Sequence, residues 1–130
     1  MIMVDSNYFI ALLNKKERHH KRACELYEKI FSQKVRIVPL LFLSEAVASV
    51  NDKLGGQIAM DLFDALENDF KIYYPTESDI AESMRYVLRY DGELSLADSL
   101  AVYLMKKYDM TYIYSFDSDF DKIEGIVRVY

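Results

Sequence analysis

Four acidic side chains, Asp5, Glu45, Asp98 and Asp117, stand where an apolar strand-like run ends or a helical pattern begins. Two carboxylates about 4 Å apart repel by around 4 kcal/mol at an effective dielectric of 20, so four gathered in one crevice stay ionised only beside cations. Oxygen-only ligands select hard divalent ions, and one cysteine with two adjacent histidines makes no zinc-type cluster. The expected cofactor is therefore Mg²⁺ or Mn²⁺. Two such ions support phosphodiester hydrolysis, activating a water and stabilising the leaving oxygen.

Each acid also has a structural reading. Asp5 directly follows the apolar run Ile2 to Val4, where an Asp often serves as a turn or N-cap residue. Ser95-x-x-Asp98 resembles a capping box, although Glu or Gln is the usual fourth residue. On helical spacing, however, Asp98 shares a stripe with Ala101, Val102 and Met105, where an acid needs a partner. Glu45 lies early in its helix on a stripe with Leu41 and Ala48, and Leu40 to Val50 contains no Lys, Arg or His. A helix N-terminus favours an exposed acid by only about 0.3–1 kcal/mol, too little to offset burying it unpaired, so Glu45 is expected to meet metal or a distant cation. The D-x-D-x-D spacing from Asp117 to Asp121 is that of a calcium loop. It fails as one, because the sixth position is Lys122 and the twelfth Arg128, where Gly and Glu are required. Asp117 and Asp119 are expected to face the site, Phe120 to anchor the turn in the core and Asp121 to lie on the surface.

The elements that must position these acids alternate. Strand patterns fall at Ile2 to Asp5, Val35 to Val38, Phe70 to Tyr74, Thr111 to Tyr114 and Ile126 to Val129. Between them lie helical patterns: one capped by Asn7 and running to Leu13, one from Arg18 to Phe31, one from Leu40 to Leu54 opened by Pro39, and one carrying Ile58 to Leu66 after Gly55-Gly56. Two more cover Ile80 to Leu88 and Ser95 to Tyr108, and a short turn spans Ser118 to Lys122. Such alternation predicts an α/β fold: a three-layer α/β/α sandwich around a mainly parallel sheet of about five strands, with ligands at the carboxyl ends of the strands. Strand order is not encoded in these patterns.

A chain of 130 residues, 52% apolar, suits one domain over residues 1–130. A net charge of −5 argues against a broad basic face for duplex DNA, so any nucleic-acid contact is local. The longest apolar run, Ile37 to Leu43 with Pro39 inside it, is far short of the roughly 20 residues that cross a bilayer. Met1 to Val4 lacks a basic start, and the lone Cys24 fits a reducing interior, so the cytoplasm is the expected location.

Val4-Asp5-Ser6-Asn7-Tyr8-Phe9-Ile10-Ala11-Leu12-Leu13, Ser44-Glu45, Leu96-Ala97-Asp98-Ser99-Leu100-Ala101 and Ser115-Phe116-Asp117-Ser118-Asp119-Phe120, in this order and spacing, resemble the PIN-domain ribonucleases, and among them the VapC-type toxins of toxin–antitoxin pairs. The resemblance covers essentially the whole chain. It implies an endonuclease dependent on Mg²⁺ or Mn²⁺ that cuts single-stranded RNA or RNA loops, often as a homodimer, and often held inactive by a small antitoxin protein. Asp5, Glu45, Asp98 and Asp117 fall on the family's acidic quartet, and Asp119 on a further acid found in some members. Ser6 and Ser115 stand where threonine is more usual, and keep the hydroxyl.

Other readings stay open at this stage. Some PIN proteins process ribosomal RNA, and some only bind protein partners. A phosphoacceptor receiver domain also keeps acids after its first strand, but wants an aspartate after the third, where this chain has Tyr74-Pro75, and a lysine that does not follow Tyr114. His19 and His20 read as a solvated helix end. Lys15, Lys16, Arg18, Lys21 and Arg22 read either as surface charge or as a device steering RNA phosphates.

Overall fold

The computed structural model describes all residues from Met1 to Tyr130. In chain order it contains β1 (Ile2–Val4), α1 (Ser6–Leu13), α2 (His20–Phe31), β2 (Arg36–Pro39), α3 (Leu40–Leu54), α4 (Gly56–Asp69), β3 (Lys71–Tyr73), α5 (Glu77–Arg89), α6 (Leu96–Lys107), β4 (Tyr112–Tyr114), a 3₁₀ turn (Ser118–Lys122) and β5 (Val127–Val129). All four strand pairings are parallel, in the order β3-β2-β1-β4-β5. The fold is the α/β sandwich that the alternation predicts.

The order reverses beside β1. From it the chain steps outward to β2 and β3 on one side, then crosses over to β4 and β5 on the other. Right-handed crossovers in opposite directions place their helices on opposite faces. Accordingly α1 to α4 pack against one another in one layer, and α5 pairs with α6 in the other. The crevice at such a switch point opens above the carboxyl ends of β1 and β4, immediately below Asp5 and Ser115.

One cluster of 31 buried apolar residues runs through the sheet into both layers. It includes Met3 and Val4 of β1, Ile113 of β4, and Leu100, Ala101, Val102 and Met105 of α6. α6 owes its place to that stripe, and its first turn, with Asp98, is thereby held at the crevice. Phe120 is fully buried and anchors the 3₁₀ turn, as its place in the sequence predicts. A second anchor fixes α5. Thr76 and Asp79 form a complete capping box, and the buried Asp79 also accepts from Tyr73 Oη (2.8 Å) and Lys107 Nζ (3.2 Å), tying α5 to β3 and to the end of α6. No helix is long and apolar enough to cross a membrane.

Most boundaries shift by one or two residues from the sequence reading, and two of the shifts are informative. Asn7 is not the cap of α1: the helix already begins at Ser6, with Asp5 in the N-cap position. Pro39 is the last residue of β2 as well as the N-cap of α3. Proline's missing N–H costs a ladder nothing at a strand end, and its fixed φ suits the turn into a helix.

Candidate functional site

Asp5 leaves β1 where the chain turns into α1, with φ −78° and ψ 155°. An N-cap carboxylate normally accepts an N–H from the second or third residue of the helix, but this one makes no such capping bond. It is turned toward β4. Ser115 Oγ donates to Asp5 Oδ2 at 2.6 Å, and the Ser6 hydroxyl lies 3.1 Å from Oδ1. Asp5 is only 3% exposed. Burial pushes its carboxyl up to about 7; the hydroxyls of Ser115 and Ser6 pull it down, while the charge of Asp98 adds to the rise.

Ser6 also joins Asp5 to Glu45. Its Oγ is 2.9 Å from Glu45 Oε2, so one hydroxyl proton is shared between acids of two elements. Glu45 itself corrects the sequence reading. It is exposed, on the solvent-facing rim of α3, so no burial cost demands a counter-charge there. Its stripe mates explain this, since Leu41 is only partly buried and Ala48 is exposed. The absence of a cation near it still holds: Glu45 forms no salt bridge, and its charge reaches Asp98.

Asp98 lies in the first turn of α6, and its N–H is accepted by Ser95 Oγ at 3.1 Å. The capping reading is thus correct for the backbone and incomplete for the side chain. Burial raises the Asp98 carboxyl to about 6, against the pull of Ser95, and the charges of Asp117 and Glu45 raise it further. The mutual influence runs from Asp5 to Asp98 and from Asp98 to Asp117 and Glu45, so the four predicted acids share one electrostatic neighbourhood. None of the four is in a salt bridge, while seven salt bridges form elsewhere in the chain.

Asp119 behaves differently from the quartet. Its N–H donates to the capping carboxylate of Asp117 (Oδ1, 2.9 Å), but its own carboxylate is paired with Lys122 Nζ at 3.0 Å, and Lys122 also holds Glu93. Asp121 sits on the surface in a two-pronged pair with Arg128. Arg128 also feels the charge of Asp117, without a salt bridge between them.

Asn7, expected as the cap of α1, has a different role. Its Nδ2 donates to Ser115 Oγ at 3.3 Å and its Oδ1 accepts the Phe116 N–H at 3.2 Å, which clamps the start of α1 to the end of β4. Ser115 Oγ accepts the Asp117 N–H at 3.0 Å as well. With two N–H groups pointing at its lone pairs, the Ser115 proton has one place to go, Asp5 Oδ2. The only sequence signal was a small polar residue two places after a strand-end acid, which fits a cap equally well. His19 is less solvated than its place in the sequence suggests. It does stand at a helix end, as the N-cap of α2, but it is half-buried there: its ring stacks on Phe116, centroids 4.4 Å apart and planes within 7°.

The donor set suits a hard divalent cation: carboxylate and hydroxyl oxygens only, two carboxyls driven up by burial and mutual repulsion, and no basic partner. The carboxylates stand apart as placed, and no three acidic, histidine or cysteine side chains are close enough to hold one ion among them. Asp5 and Glu45, linked through Ser6, with Asp98 and Asp117 beyond, are the groups that could hold one by drawing inward. The largest hollow, about 640 Å³, is elsewhere, an apolar groove between α3 and α4 lined by Leu43, Val47 and Phe63.

Comparison with known proteins adds a separate line. The PIN domain profile matches residues 2–126. Ribonuclease VapC13 of Mycobacterium tuberculosis is 30% identical over 131 aligned residues, covering 99% of each chain, and a VapC ribonuclease of Mycobacterium bovis matches equally. Among solved structures, Mycobacterium tuberculosis VapC20, a toxin that cleaves the sarcin-ricin loop, superposes with a TM-score of 0.87 at 23% identity, over 99% of this chain and 98% of its own. VapBC2 of Rickettsia felis, bound to a DNA fragment from its promoter, gives 0.72 at 13% identity, over 99% of this chain and 98% of that one.

Proposed function

The chain belongs to the PIN domain family, and from that membership together with the acidic crevice we propose that it is a Mg²⁺- or Mn²⁺-dependent endoribonuclease, the toxin of a toxin–antitoxin pair. The observation that carries the proposal is a quartet without salt bridges: Asp5, Glu45, Asp98 and Asp117 influence one another electrostatically, and the only cation whose field reaches them, Arg128 near Asp117, is paired with Asp121. A structural role would have left such acids paired, as Asp79 is with Lys107 and Asp121 with Arg128.

In this reading Asp5, Glu45, Asp98 and Asp117 hold the metal, and when bound it supplies a nucleophilic water and a Lewis acid for the leaving oxygen of a phosphodiester. The chain's own residues do the positioning. Ser115 holds one oxygen of Asp5 and Ser6 the other, and Asn7 fixes Ser115. Ser6 holds the flexible Glu45 side chain over the crevice. Phe120 locks the turn that presents Asp117. Asp119 is a peripheral ligand at most, since it must first leave Lys122.

Single-stranded RNA or an RNA loop is the substrate this reading assigns, since VapC13 is named a ribonuclease and VapC20 a toxin that cleaves the sarcin-ricin loop. The partner it assigns is a small antitoxin, as in the toxin–antitoxin complexes that share the fold, with a homodimer as the working unit and the cytoplasm as the location. Purified protein should cut RNA with Mg²⁺ or Mn²⁺ and not in EDTA. Asp5→Asn or Asp98→Asn should lower the rate on the order of a thousandfold, because each removes a ligand whose contribution is several kcal/mol. Undiminished cleavage by both variants, purified free of host nuclease, would overturn the reading.

A further inference from the structure

An acidic crevice in a chain of net charge −5 repels the polyanion it is proposed to cut, so some local set of cations must bring RNA to it. Most of the sixteen basic side chains are already engaged. Arg22, Lys53, Arg85, Lys107, Lys122 and Arg128 are in salt bridges. Arg36 is bonded to three backbone carbonyls and Lys106 to that of Glu124, and Arg89 lies over Tyr86. Of the seven left, Lys34 and Lys71 lie at the amino ends of β2 and β3, and Lys29 lines a hollow with Ile2 at the start of β1. These three are at the end of the sheet opposite the crevice.

The remaining four, Lys15, Lys16, Arg18 and Lys21, share the exposed connection between α1 and α2 and the start of α2; none has an acidic partner, and only Arg18 has a side-chain contact, its guanidinium lying 3.2 Å from the ring nitrogen Nε2 of the neighbouring His19. Two contacts fix that segment above the carboxyl ends of the strands. His19 stacks on Phe116, the residue between Ser115 and Asp117, and Arg22 donates to the carbonyl of Tyr130, just past β5. The only acid in the connection, Glu17, forms no salt bridge with any of the four. Cations free of acidic partners, a half-buried aromatic pair and the acidic quartet thus lie side by side.

We propose that the segment Lys15–Lys21 is the substrate track: its four cations, none of which has an acidic partner, hold the phosphates of single-stranded RNA, and the His19–Phe116 stack carries a base beside the scissile position. This rests on the nuclease reading for its substrate and adds the surface that binds it. Alternating phosphate contacts and a stacking platform are the usual means of gripping single strands without reading their sequence.

The test is fluorescence anisotropy of a short labelled single-stranded RNA in EDTA, across a series of KCl concentrations, with the full chain. Each cation that contacts a single-strand phosphate contributes about 0.7 to the slope of log affinity against log salt. The triple variant Lys15→Ala, Lys16→Ala, Arg18→Ala should flatten that slope by about 2, and the control triple at Lys29, Lys34 and Lys71 should leave it unchanged. His19→Ala should weaken binding about fivefold or more without altering the slope, as loss of a stacking platform does. An unaltered slope in the first triple, or equal flattening in both, overturns the track. Since no cleavage is read, the outcome is independent of the nuclease proposal. Loop-dependent binding by a protein that never cuts would sink the enzyme and spare the surface, and cutting with an unaltered slope would do the reverse.

Discussion

Ser115→Ala should make Asp5 harder still to ionise, although the substitution removes one oxygen and no charge. Ser115 is 2% exposed, and its 2.6 Å bond to Asp5 Oδ2 is the shortest contact that carboxylate makes. A hydrogen bond to a charged group is worth about 1.5–3 kcal/mol, and one pKa unit corresponds to 1.36 kcal/mol. Taking the low end, because water can partly replace a lost hydroxyl, the Asp5 carboxyl should rise by about one unit from its value of about 7. At pH 7 the ionised fraction would fall from about half to about a tenth, so Mg²⁺ should bind about fivefold more weakly. Carbon-13 NMR of the Asp5 carboxyl in EDTA reads the first quantity, and calorimetry the second. Asn7→Ala should shift Asp5 in the same direction by less, and the double variant should match Ser115→Ala alone, because Asn7 reaches Asp5 only through Ser115. An Asp5 resonance that titrates unchanged in Ser115→Ala, or two effects that simply add, would refute the relay.

Three further expectations concern stability and pH. Asp5 and Asp98 are raised in the folded state, to about 7 and about 6, so between about pH 4 and pH 7 the native protein binds protons that the unfolded chain has released, and metal-free stability should fall as pH rises through that window. For Asp5 alone the loss is about 4 kcal/mol at most, and Mn²⁺ should raise the melting temperature more at pH 8 than at pH 5; a metal-free melting temperature that climbs from pH 5 to 8 contradicts this. Asp79 has the opposite sign: burial pushes its carboxyl up, but the bonds from Thr76, Tyr73 and Lys107 outweigh burial and hold it at about 2, so its contribution is present above about pH 4 and disappears as pH falls through 2. Asp79→Asn should cost about 1–3 kcal/mol in urea unfolding at pH 7 and much less at pH 2. Phe120→Ala should cost about 3–5 kcal/mol by emptying a fully buried site, and should weaken Mg²⁺ binding at Asp117, whereas a variant of full stability would show that the turn is held by something else.

The legible part of this molecule is what local chemistry dictates. Asp5 and Asp98 could be singled out because an acid at a strand end and an acid on an apolar helical stripe are each anomalous within a few residues, and both prove to be buried or half-buried without a cation. Glu45 was singled out for a partly wrong reason: the lack of neighbouring cations was real, but its burial was not, since a stripe of Leu41 and Ala48 need not face the core. What the sequence withheld is long-range. The β3-β2-β1-β4-β5 order follows from which crossover passes which face, and no local pattern records that. Asn7 meets Ser115 across 108 residues of chain, and His19 meets Phe116 across a comparable stretch. Such contacts exist only once β1 and β4 are neighbours. The pairing of Asp119 with Lys122 was within reach, being a three-residue separation in a turn, but the D-x-D-x-D spacing drew the eye to metal first.

The most direct test of the whole account is crystallographic: the protein crystallised with Mn²⁺, with anomalous differences collected at the manganese edge. The account predicts one or two peaks in the crevice, ligated by oxygens of Asp5, Glu45, Asp98 and Asp117 drawn inward from their present separation. A map with no peak there, the four carboxylates still apart or joined to basic side chains, would contradict it.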